Sequence, residues 1–305
     1  MDTKENQPLA IQGLKLCSIA LRDAWTDFFL SREIICTPST LKNYTNVLGK
    51  FIDWLETNGI EKPEQINSRL IRAYLSQFIG KSEWYCNDIG RQIRTFIHFL
   101  YKEKYITELP VFEIPKVHQK RLPFLTAEQI EAVLSIANII EKAIVTFMVD
   151  CGARKQEVIN LNRSDVDMKN GIVTIRQGKG RKDRITVIGA TTRRALLQYL
   201  RTVKDQSNDA PLFQTFDGRR FTGDGLNSVF RRLSKKTGIT ITPHMLRRSF
   251  ATLALKNKID IVSLQALMGH SDITTTRNYI QWLDADLLVA HRQASPIDGI
   301  ARKKI

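Results

Sequence analysis

Apolar positions recur at helical spacing through the N-terminal third of the chain. In TPSTLKNYTNVLGKFIDWLETNG they form one stripe, with Thr37 as the N-cap, Pro38 at the first helical position and Gly59 at the stop. Similar patterns cover about residues 16–30, 68–79 and 86–104. The sequence therefore predicts an all-helical domain over residues 16–108, preceded by a flexible N-terminal tail over residues 1–15.

The helical pattern breaks in LPVFEIPKVHQKRLPFLT, where Pro110, Pro115 and Pro123 interrupt any helix. Positive charge is concentrated in the same stretch, at Lys116, His118, Lys120 and Arg121. We interpret residues 109–122 as a basic interdomain linker, and the alternative is a surface loop within one domain. A basic segment is suited to lie along a phosphate backbone. The candidate DNA contacts here are therefore Lys116, Lys120 and Arg121.

Residues 123–305 are predicted to form a second domain, mostly helical with a small antiparallel sheet. Thr126 with Gln129 resembles a capping box that opens a helix. Helical patterns end near residues 137 and 149, then cover about 190–204, 223–236, 243–256 and 260–268, with a last pair around 279 and 287. The run GIVTIRQGKGRKDRITVI alternates like two strands joined by a glycine-containing turn. This hairpin carries basic residues at or beside its tip: Lys179, Arg181, Lys182 and Arg184. The predicted fold class is mainly α.

The composition favours a nucleic acid partner. A length of 305 residues suits two domains. The 46 Lys and Arg residues against 31 Asp and Glu give a formal charge of +15. Nucleic acid is the simplest partner of opposite sign, and a generally basic protein is the alternative.

Two classes of protein are disfavoured by the same sequence. No apolar run approaches the roughly 20 residues of a membrane span, and the start MDTKENQPLA is too polar for a secretory signal. We therefore expect an intracellular, cytoplasmic protein with no membrane partner. The 4 cysteines are scattered without a CxxC pattern, which argues against a zinc site and fits reduced thiols.

Cationic side chains stand in a helix-forming context in GARKQEVINL and TPHMLRRSFAT. In the first stretch, Arg154 and Glu157 are three residues apart, and an exposed helix pair of little energetic value is one interpretation. In the second, His244 and Arg247 stand at i and i+3, where they could hold two oxygens of one phosphate. A solvated basic face is the alternative for that pair.

A third stretch, LQALMGHSDITTTRNYI, combines a glycine, a histidine and a tyrosine. Gly269 is predicted to end a helix, which leaves His270 at a turn before the segment that contains Tyr279. A lone histidine or tyrosine is more often a packing or hydrogen-bonding residue than a catalytic one. Sequence spacing alone does not show that the three stretches meet in space.

The three stretches and the hairpin together supply six chemical groups: Arg154, Lys179, His244, Arg247, His270 and Tyr279. Their order, spacing and local context resemble the tyrosine recombinase family, also called the phage integrase family. The resemblance covers about residues 125–288. The upstream helices are similar to the core-binding domain of that family, by helical pattern more than by motif.

The resemblance implies that Arg154 and Arg247 stabilise a phosphodiester under attack, with Glu157 supporting Arg154. Charge gathers on the equatorial oxygens of the phosphate in the transition state, and a planar guanidinium fits them better than an ammonium does. An arginine-to-lysine change at either position is therefore expected to be damaging.

The remaining groups are implied to move protons and to form a covalent bond. Tyr279 would be the nucleophile, and because a free phenol has a pKa near 10, it needs a proton acceptor, for which His244 is the candidate. Lys179 resembles the family's general acid for the departing 5′ oxygen, and His270 would donate a hydrogen bond to the phosphate. The product would be a 3′-phosphotyrosyl DNA, and no metal or other cofactor is implied.

The family resemblance also implies partners. The two domains would hold duplex DNA at recombination sites, with Arg181 and Lys182 of the hairpin as further candidate DNA contacts. Four protomers would assemble on two DNA sites, with the C-terminal segment around Leu283 and Leu287 docked on a neighbouring protomer. The alternative is that this segment packs on its own domain. Accessory DNA-bending proteins are compatible with such an assembly.

Several functions compete with the favoured one, an integrase of a mobile genetic element. A chromosome or plasmid dimer-resolving recombinase would use the same groups, and a type IB topoisomerase shares the phosphotyrosine chemistry. A DNA-binding regulator could use the fold without cutting. A metal-dependent nuclease predicts clustered acidic ligands, and the sequence has no convincing carboxylate trio.

Overall fold

The structure is a computed structural model that describes residues 19–118, 122–176 and 183–269. The chain divides into two compact units, residues 1–120 and 121–305. Each unit contains its own cluster of buried apolar side chains. The predictions for the N-terminal tail, the last part of the linker, the hairpin tip and the residues after Gly269 lie outside the described residues.

The first unit is helical within its described residues. Its helices are α1 (Ile19–Glu33), α2 (Pro38–Thr57), α3 (Ser68–Ser76) and α4 (Glu83–Lys102), with a 3-10 turn at Pro63–Gln65. Thr37 caps α2 as predicted, since its side chain accepts from the backbone N–H of Thr40. Gly59 follows the end of α2 with φ of 74°, a conformation that glycine adopts without strain.

Aromatic side chains link the helices of the first unit. Phe28 of α1 is fully buried. Its ring meets those of Tyr44, Phe96 and Phe99 edge-on, with centroids 5.4, 5.2 and 5.4 Å away. Edge-to-face contacts of this kind add to the free energy of apolar burial. The core therefore ties α1 to both α2 and α4.

Residues 109–118, which make up most of the predicted linker, pack along α4. Phe112 is buried in the core of the first unit, and its carbonyl accepts from Nη2 of Arg94 at 3.1 Å. Nδ2 of Asn87 donates to the carbonyl of Pro115 at 2.8 Å. This stretch is a packed extension of the first unit and not a free spacer.

The second unit combines helices with a small sheet. In chain order its described elements are α5 (Ala127–Ile136), α6 (Ile139–Cys151), α7 (Lys155–Asn160), β1 (Val166–Asp167), β2 (Ile172–Ile175), β3 (Arg184–Val187), α8 (Ala190–Leu200), α9 (Gly223–Thr237), α10 (Pro243–Lys256) and α11 (Ile261–Met268). The apolar helix α6 packs against α8 and α10. The capping box of Thr126 and Gln129 opens α5 as predicted.

The sheet has the order β1-β2-β3 and is antiparallel throughout. The pair β2–β3 is the predicted hairpin, whereas the two-residue strand β1 was not predicted. In β3 the apolar Ile185 and Val187 are 61% and 48% exposed, while Arg184 and Thr186 face inward. Thr186 is fully buried, and its Oγ1 donates to the carbonyl of Cys151 at 3.1 Å. Hydrogen bonds and charge therefore decide which face of β3 is buried.

The chain is mainly α-helical with a small three-stranded antiparallel sheet, which confirms the predicted fold class. Across residues 19–118, 122–176 and 183–269, no helix combines the length and the apolar character needed to cross a membrane.

Candidate active site

A tight turn between α6 and α7 presents Arg154. Gly152 ends α6 with φ of 62°, and a Cβ at this position would lie 2.3 Å from the ring of Phe250. Both the backbone conformation and the close approach therefore require glycine. Arg154 follows as the N-cap of α7, although a guanidinium has no acceptor for helix N–H groups. A residue so poorly suited to capping at this position indicates a functional role.

Glu157 compensates for the poor cap. Its Oε2 accepts from the backbone N–H of Arg154 at 2.6 Å, and its Oε1 accepts from Nη1 of the same residue at 2.8 Å. Nη2 of Arg184 donates to Oε2 at 2.7 Å. The side chain of Glu157 is only 6% exposed, so the interpretation of Arg154 and Glu157 as an exposed helix pair is wrong.

Neighbouring charges keep Glu157 ionised. Burial favours the protonated carboxyl, but the Arg184 guanidinium, followed by the hydrogen bonds from Arg154, outweighs it and holds the pKa of Glu157 below its ordinary value. Burial lowers the pKa of Arg184, and the charge of Glu157 opposes that effect. One carboxylate thus lies between two guanidinium groups, which leaves one positive charge in excess.

Helix α10 supplies Arg247. Thr242 caps this helix by accepting from the backbone N–H of Met245. Arg247 is 5% exposed, its Nη1 donates to the carbonyl of Gly152, and its Nη2 donates to the carbonyl of Met268 at 2.6 Å. The alternative of a solvated basic face is therefore wrong for Arg247.

The C-terminal end of α11 is held by three arginines. Three successive carbonyls each accept from one guanidinium. The carbonyl of Leu267 accepts from Nη1 of Arg184 at 3.0 Å, that of Met268 from Nη2 of Arg247 at 2.6 Å, and that of Gly269 from Nη2 of Arg154 at 3.1 Å. The last carbonyls of a helix lack partners within the helix and carry the negative end of its dipole, so cations are favoured there. Gly269 ends α11 with φ of 62°, as predicted.

This convergence brings Arg154 and Arg247 together, as the motif interpretation requires. We call Arg154, Glu157, Arg184 and Arg247 the arginine cluster. Arg154 remains 24% exposed, so part of its guanidinium can still meet a ligand from solvent. A group of fixed guanidiniums with excess positive charge is suited to bind an anion such as a phosphate.

His244 lies at the start of α10, where the residue is accessible to solvent but neighbouring groups shield part of its imidazole. Partial burial lowers its pKa first, and the charges of Arg248, Arg247, Lys155 and Arg154 lower the pKa further. Because the ordinary pKa of histidine is near 6.5, the imidazole is neutral at about pH 7. A neutral imidazole can accept a proton, which is what a general base must do.

A pocket of about 500 Å³ adjoins His244 between α7, α9 and α10. Lys155 and Arg231 supply positive charge to its lining, and Nζ of Lys155 lies 3.5 Å from Oδ1 of Asn227. The surroundings of His244 are therefore cationic on more than one side. This pocket extends the basic region beyond the arginine cluster.

The other predicted site residues lie outside the arginine cluster or outside the described part of the chain. Lys116 is exposed on the first unit. Seven predicted residues lie outside the described part of the chain: Lys120, Arg121, Lys179, Arg181, Lys182, His270 and Tyr279. Their roles therefore stay predictions.

Arg184 is the member of the cluster to which sequence reasoning gave no role. The sequence places it beside the hairpin tip, where it is typical of an exposed phosphate contact. Its inward orientation follows from the alternation in β3, because it shares a face with the buried Thr186 two residues later. The sequence pattern predicts the opposite orientation, because the apolar Ile185 and Val187 are the residues expected to face the core.

Within the described residues, neither a metal centre nor the neighbouring thiol of Cys151 competes with this site. No group of three or more His, Cys, Asp or Glu side chains there could hold a metal ion. Cys151 is fully buried, and burial raises the pKa of its thiol to about 12. Such a thiol does not form the thiolate that nucleophilic attack requires.

Comparison with known sequences identifies similar proteins over most of the chain. A sequence model described as the Phage integrase family matches residues 123–285. The tyrosine recombinase XerD of Staphylococcus epidermidis RP62A is 30% identical over 284 residues, which cover 88% of this chain and 96% of XerD. The tyrosine recombinase XerA of Thermococcus onnurineus is 30% identical over 275 residues, covering 88% of this chain and 93% of XerA.

Solved structures agree with this similarity. A crystal structure of XerA recombinase matches with a TM-score of 0.52 at 28% identity, covering 89% of this chain and 99% of that one. The Tn1549 transposon integrase in complex with a circular intermediate DNA matches with a TM-score of 0.70, covering 86% and 95% of the two chains. At 19% identity, the second match shows a shared fold alone.

Proposed function

This chain belongs to the phage integrase family of tyrosine recombinases, and from that membership we propose that it is a site-specific recombinase using Tyr279 as its nucleophile. Members of the family are DNA strand transferases, so the activity follows from membership and the assignment of residues is the proposal. The observation that supports it is the convergence of Arg154 and Arg247 on the end of α11. That helix end leads directly to the segment that contains His270 and Tyr279.

The two arginines would stabilise the phosphate as it is attacked. Attack by a tyrosine oxygen increases the charge on the equatorial oxygens of the phosphodiester. Guanidiniums that are already held by backbone carbonyls need no reorganisation when that charge develops, which makes their stabilisation of the transition state large. Arg247 is fixed by the carbonyls of Gly152 and Met268, and Arg154 by Glu157 and the carbonyl of Gly269.

Proton transfer is divided among the remaining groups. His244, whose lowered pKa favours the neutral imidazole, takes the proton of the Tyr279 hydroxyl. Lys179 of the hairpin gives a proton to the departing 5′ oxygen, and His270 donates a hydrogen bond to the phosphate. The bond formed joins the tyrosine oxygen to phosphorus, and the bond broken releases the 5′ hydroxyl. The 3′-phosphotyrosyl ester conserves the energy needed for rejoining.

Covalent capture tests this proposal. The purified chain is incubated in excess chelator with a library of nicked duplexes that covers its whole genome, including the neighbourhood of its gene, and protein–DNA adducts are recovered under denaturing conditions. We expect adducts with the wild type and none with Tyr279→Phe. Tyr101→Phe is the control, because Tyr101 is an exposed tyrosine of the first unit. Adducts that persist in Tyr279→Phe, or tight DNA binding without any adduct, would contradict the proposal.

For the biological role, we propose the integrase of a mobile genetic element, in keeping with a strongly basic chain. The alternative is a dimer-resolving recombinase of a chromosome or plasmid, and the 30% identity to XerD over most of both chains favours it. Sequencing the captured adducts separates the two. Sites at the ends of an element that carries the gene support integration, whereas one site per replicon, distant from the gene, supports resolution.

We propose further that four protomers act on two duplex DNA sites. The C-terminal segment around Leu283 and Leu287 would dock on a neighbouring protomer. Deleting the residues after Leu283 is expected to abolish cooperative assembly on DNA in a gel-shift titration. Cooperativity that is unchanged in the truncated chain would favour docking on the same protomer instead.

A further inference from the structure

We propose that Arg184 is a positioning residue for strand cleavage, which orients Arg154 through Glu157 and holds the end of α11 where the reaction takes place. The inference rests on the proposed function, and it concerns a residue outside the six groups of the motif interpretation. Arg184 begins β3, so it also connects the base of the hairpin to the arginine cluster. It acts on the reaction through other residues and is not itself assigned a contact with the phosphate.

The carboxylate of Glu157 links Arg184 to Arg154. Oε2 of Glu157 accepts from both Nη2 of Arg184 and the backbone N–H of Arg154, at 2.7 and 2.6 Å. With that oxygen held on two sides, Oε1 is directed to Nη1 of Arg154 at 2.8 Å. Side chains of an active site hold their geometry when neighbouring groups restrict their rotamers. Without Arg184, the carboxylate loses one of its two fixed partners and can rotate, and Arg154 then loses a defined orientation.

Arg184 also contacts the C-terminal end of α11. Nη1 of Arg184 donates to the carbonyl of Leu267 at 3.0 Å, next to the two carbonyls that hold Arg247 and Arg154. One guanidinium thus fixes the carboxylate with one nitrogen and the helix end with the other. The orientation of Arg154 and the position of the chain that leads to His270 are coupled through this single side chain.

The side chain of Arg184 passes directly beside the backbone of Gly269. A Cβ at position 269 would lie 2.3 Å from Cδ of Arg184 and 2.5 Å from its Nε. Gly269 is therefore required for the passage of this side chain as well as for its own φ of 62°. The side chain is 10% exposed, and its two terminal nitrogens are bonded to Leu267 and Glu157, whereas its buried Nε has no partner among the described residues.

Single-turnover cleavage at saturating DNA tests the role. In Arg184→Met, we expect the rate to fall about 10- to 30-fold while the Kd for DNA changes by less than about threefold. Arg184→Lys keeps the charge but cannot donate to Glu157 and Leu267 with the same planar geometry, so we expect an intermediate rate. Arg232→Met is the control, because Arg232 likewise pairs with a buried glutamate, Glu141, at 2.7 Å.

A double-mutant cycle distinguishes positioning from general stability. If Arg184 orients Arg154 through Glu157, the double variant Arg184→Met/Glu157→Gln cleaves less than about threefold more slowly than Glu157→Gln alone, and the remaining loss comes from the bond to Leu267, which does not pass through Glu157. A purely structural residue would give effects on the rate that multiply, as we expect for Arg232→Met combined with Glu157→Gln. Multiplying effects at Arg184, or a rate in Arg184→Met equal to that of Arg232→Met, would overturn the inference.

Folding of each variant is checked by thermal unfolding before cleavage is measured. If Arg184→Met does not fold, Arg184→Lys decides: a wild-type rate in this folded variant contradicts the inference, and a lowered rate at unchanged Kd supports it. Failure of the proposed function has a different signature. In that case the wild type itself forms no adduct that depends on Tyr279, whereas failure of this inference alone leaves such adducts intact in every Arg184 variant.

Discussion

Two buried glutamates of the second unit begin from the same local motif. Glu141 and Glu157 each occupy the third position of a helix and accept from the backbone N–H of the N-cap residue. At α6 the N-cap is Asn138, whose side-chain oxygen accepts from the backbone N–H of Glu141 at 2.9 Å. Arg232 completes that site from α9. Every group in it serves the helix end or the packing of two helices.

At α7 the same motif has an arginine at the N-cap. Glu157 then holds two guanidiniums, from Arg154 and Arg184, and both of these also reach the end of α11. The comparison shows that a capping glutamate can also orient guanidinium groups when the N-cap residue serves function instead of helix stability. Local preference is broken at α7 and satisfied at α6, which is where a functional and a structural site are expected to differ.

Arginine-to-lysine changes at Arg247 and Arg232 should give the largest difference in cleavage rate between the arginine cluster and the site around Glu141. We expect Arg247→Lys to lower the rate of covalent adduct formation by roughly 10²- to 10³-fold, because a lysine cannot hold two carbonyls and a phosphate in one plane. Arg232→Lys should change that rate by less than about threefold. The measurement is single-turnover cleavage of a nicked duplex. Equal losses in the two variants would show that Arg247 acts only in folding.

Neutralising the two carboxylates tests the comparison directly. Glu157→Gln is expected to slow cleavage about 10- to 100-fold, because Arg154 loses its ionic partner and its orientation. Glu141→Gln should leave cleavage within about threefold of the wild type. Both variants should lose stability, on the order of 1–3 kcal/mol, when a charged hydrogen bond is weakened in a buried place. Denaturant unfolding measures that loss, and slow cleavage in Glu141→Gln would remove the distinction.

Two helix-ending glycines extend the comparison to the backbone. Gly269 and Gly238 have φ of 62° and 70°, but only at position 269 does a Cβ meet a neighbour. Gly238→Ala should cost about 1 kcal/mol from backbone strain alone. Gly269→Ala should cost about 1 kcal/mol more and slow cleavage roughly tenfold, because Arg184 must move. Unfolding and cleavage assays on both variants check this, and a Gly269→Ala protein with normal cleavage would contradict it.

The pH dependence of stability should be the smallest effect, and it should not distinguish the two glutamates. Burial raises both pKa values, yet hydrogen bonds and arginine charges bring each below its ordinary value. A lowered pKa in the folded state contributes stability that is present above about pH 4.3 and is lost as the pH falls through the folded pKa. Glu141→Gln and Glu157→Gln should therefore each flatten the curve of unfolding free energy against pH in this acid range. A steeper curve in either variant would contradict the sign of the shift.

Much of the fold was predictable because it depends on local patterns. Pro38 and Thr37 place the start of α2, and the stretch from Pro243 to Lys256 is helical at the predicted bounds. The end of α11 at Gly269 was predictable for the same reason, since glycine alone adopts a left-handed conformation at little cost. Caps and helical periodicity act over a few residues and need no knowledge of distant parts of the chain.

The site was less predictable, since its energetics depend on partners far apart in sequence. The sequence allowed an exposed pair for Arg154 and Glu157, and only the approach of Arg184 from β3 explains why the carboxylate is buried. The faces of β3 were likewise decided by partners: Thr186 turns inward to reach the carbonyl of Cys151, and Ile185 turns outward as a result. The packing of residues 109–118 along α4 was not visible in their proline-rich and basic composition.

By itself, the sequence determined most of the described helices to within a few residues of their ends, the hairpin strands, the basic character of the chain and the family to which its motifs belong. Each of these properties depends on residues that are close together in sequence or on the total charge. Only the tertiary structure decided that three arginines from α7, β3 and α10 share the carbonyls at the end of α11. The physical reason is that a buried charge is stable only where several partners surround it, and those partners come from segments that meet only after folding.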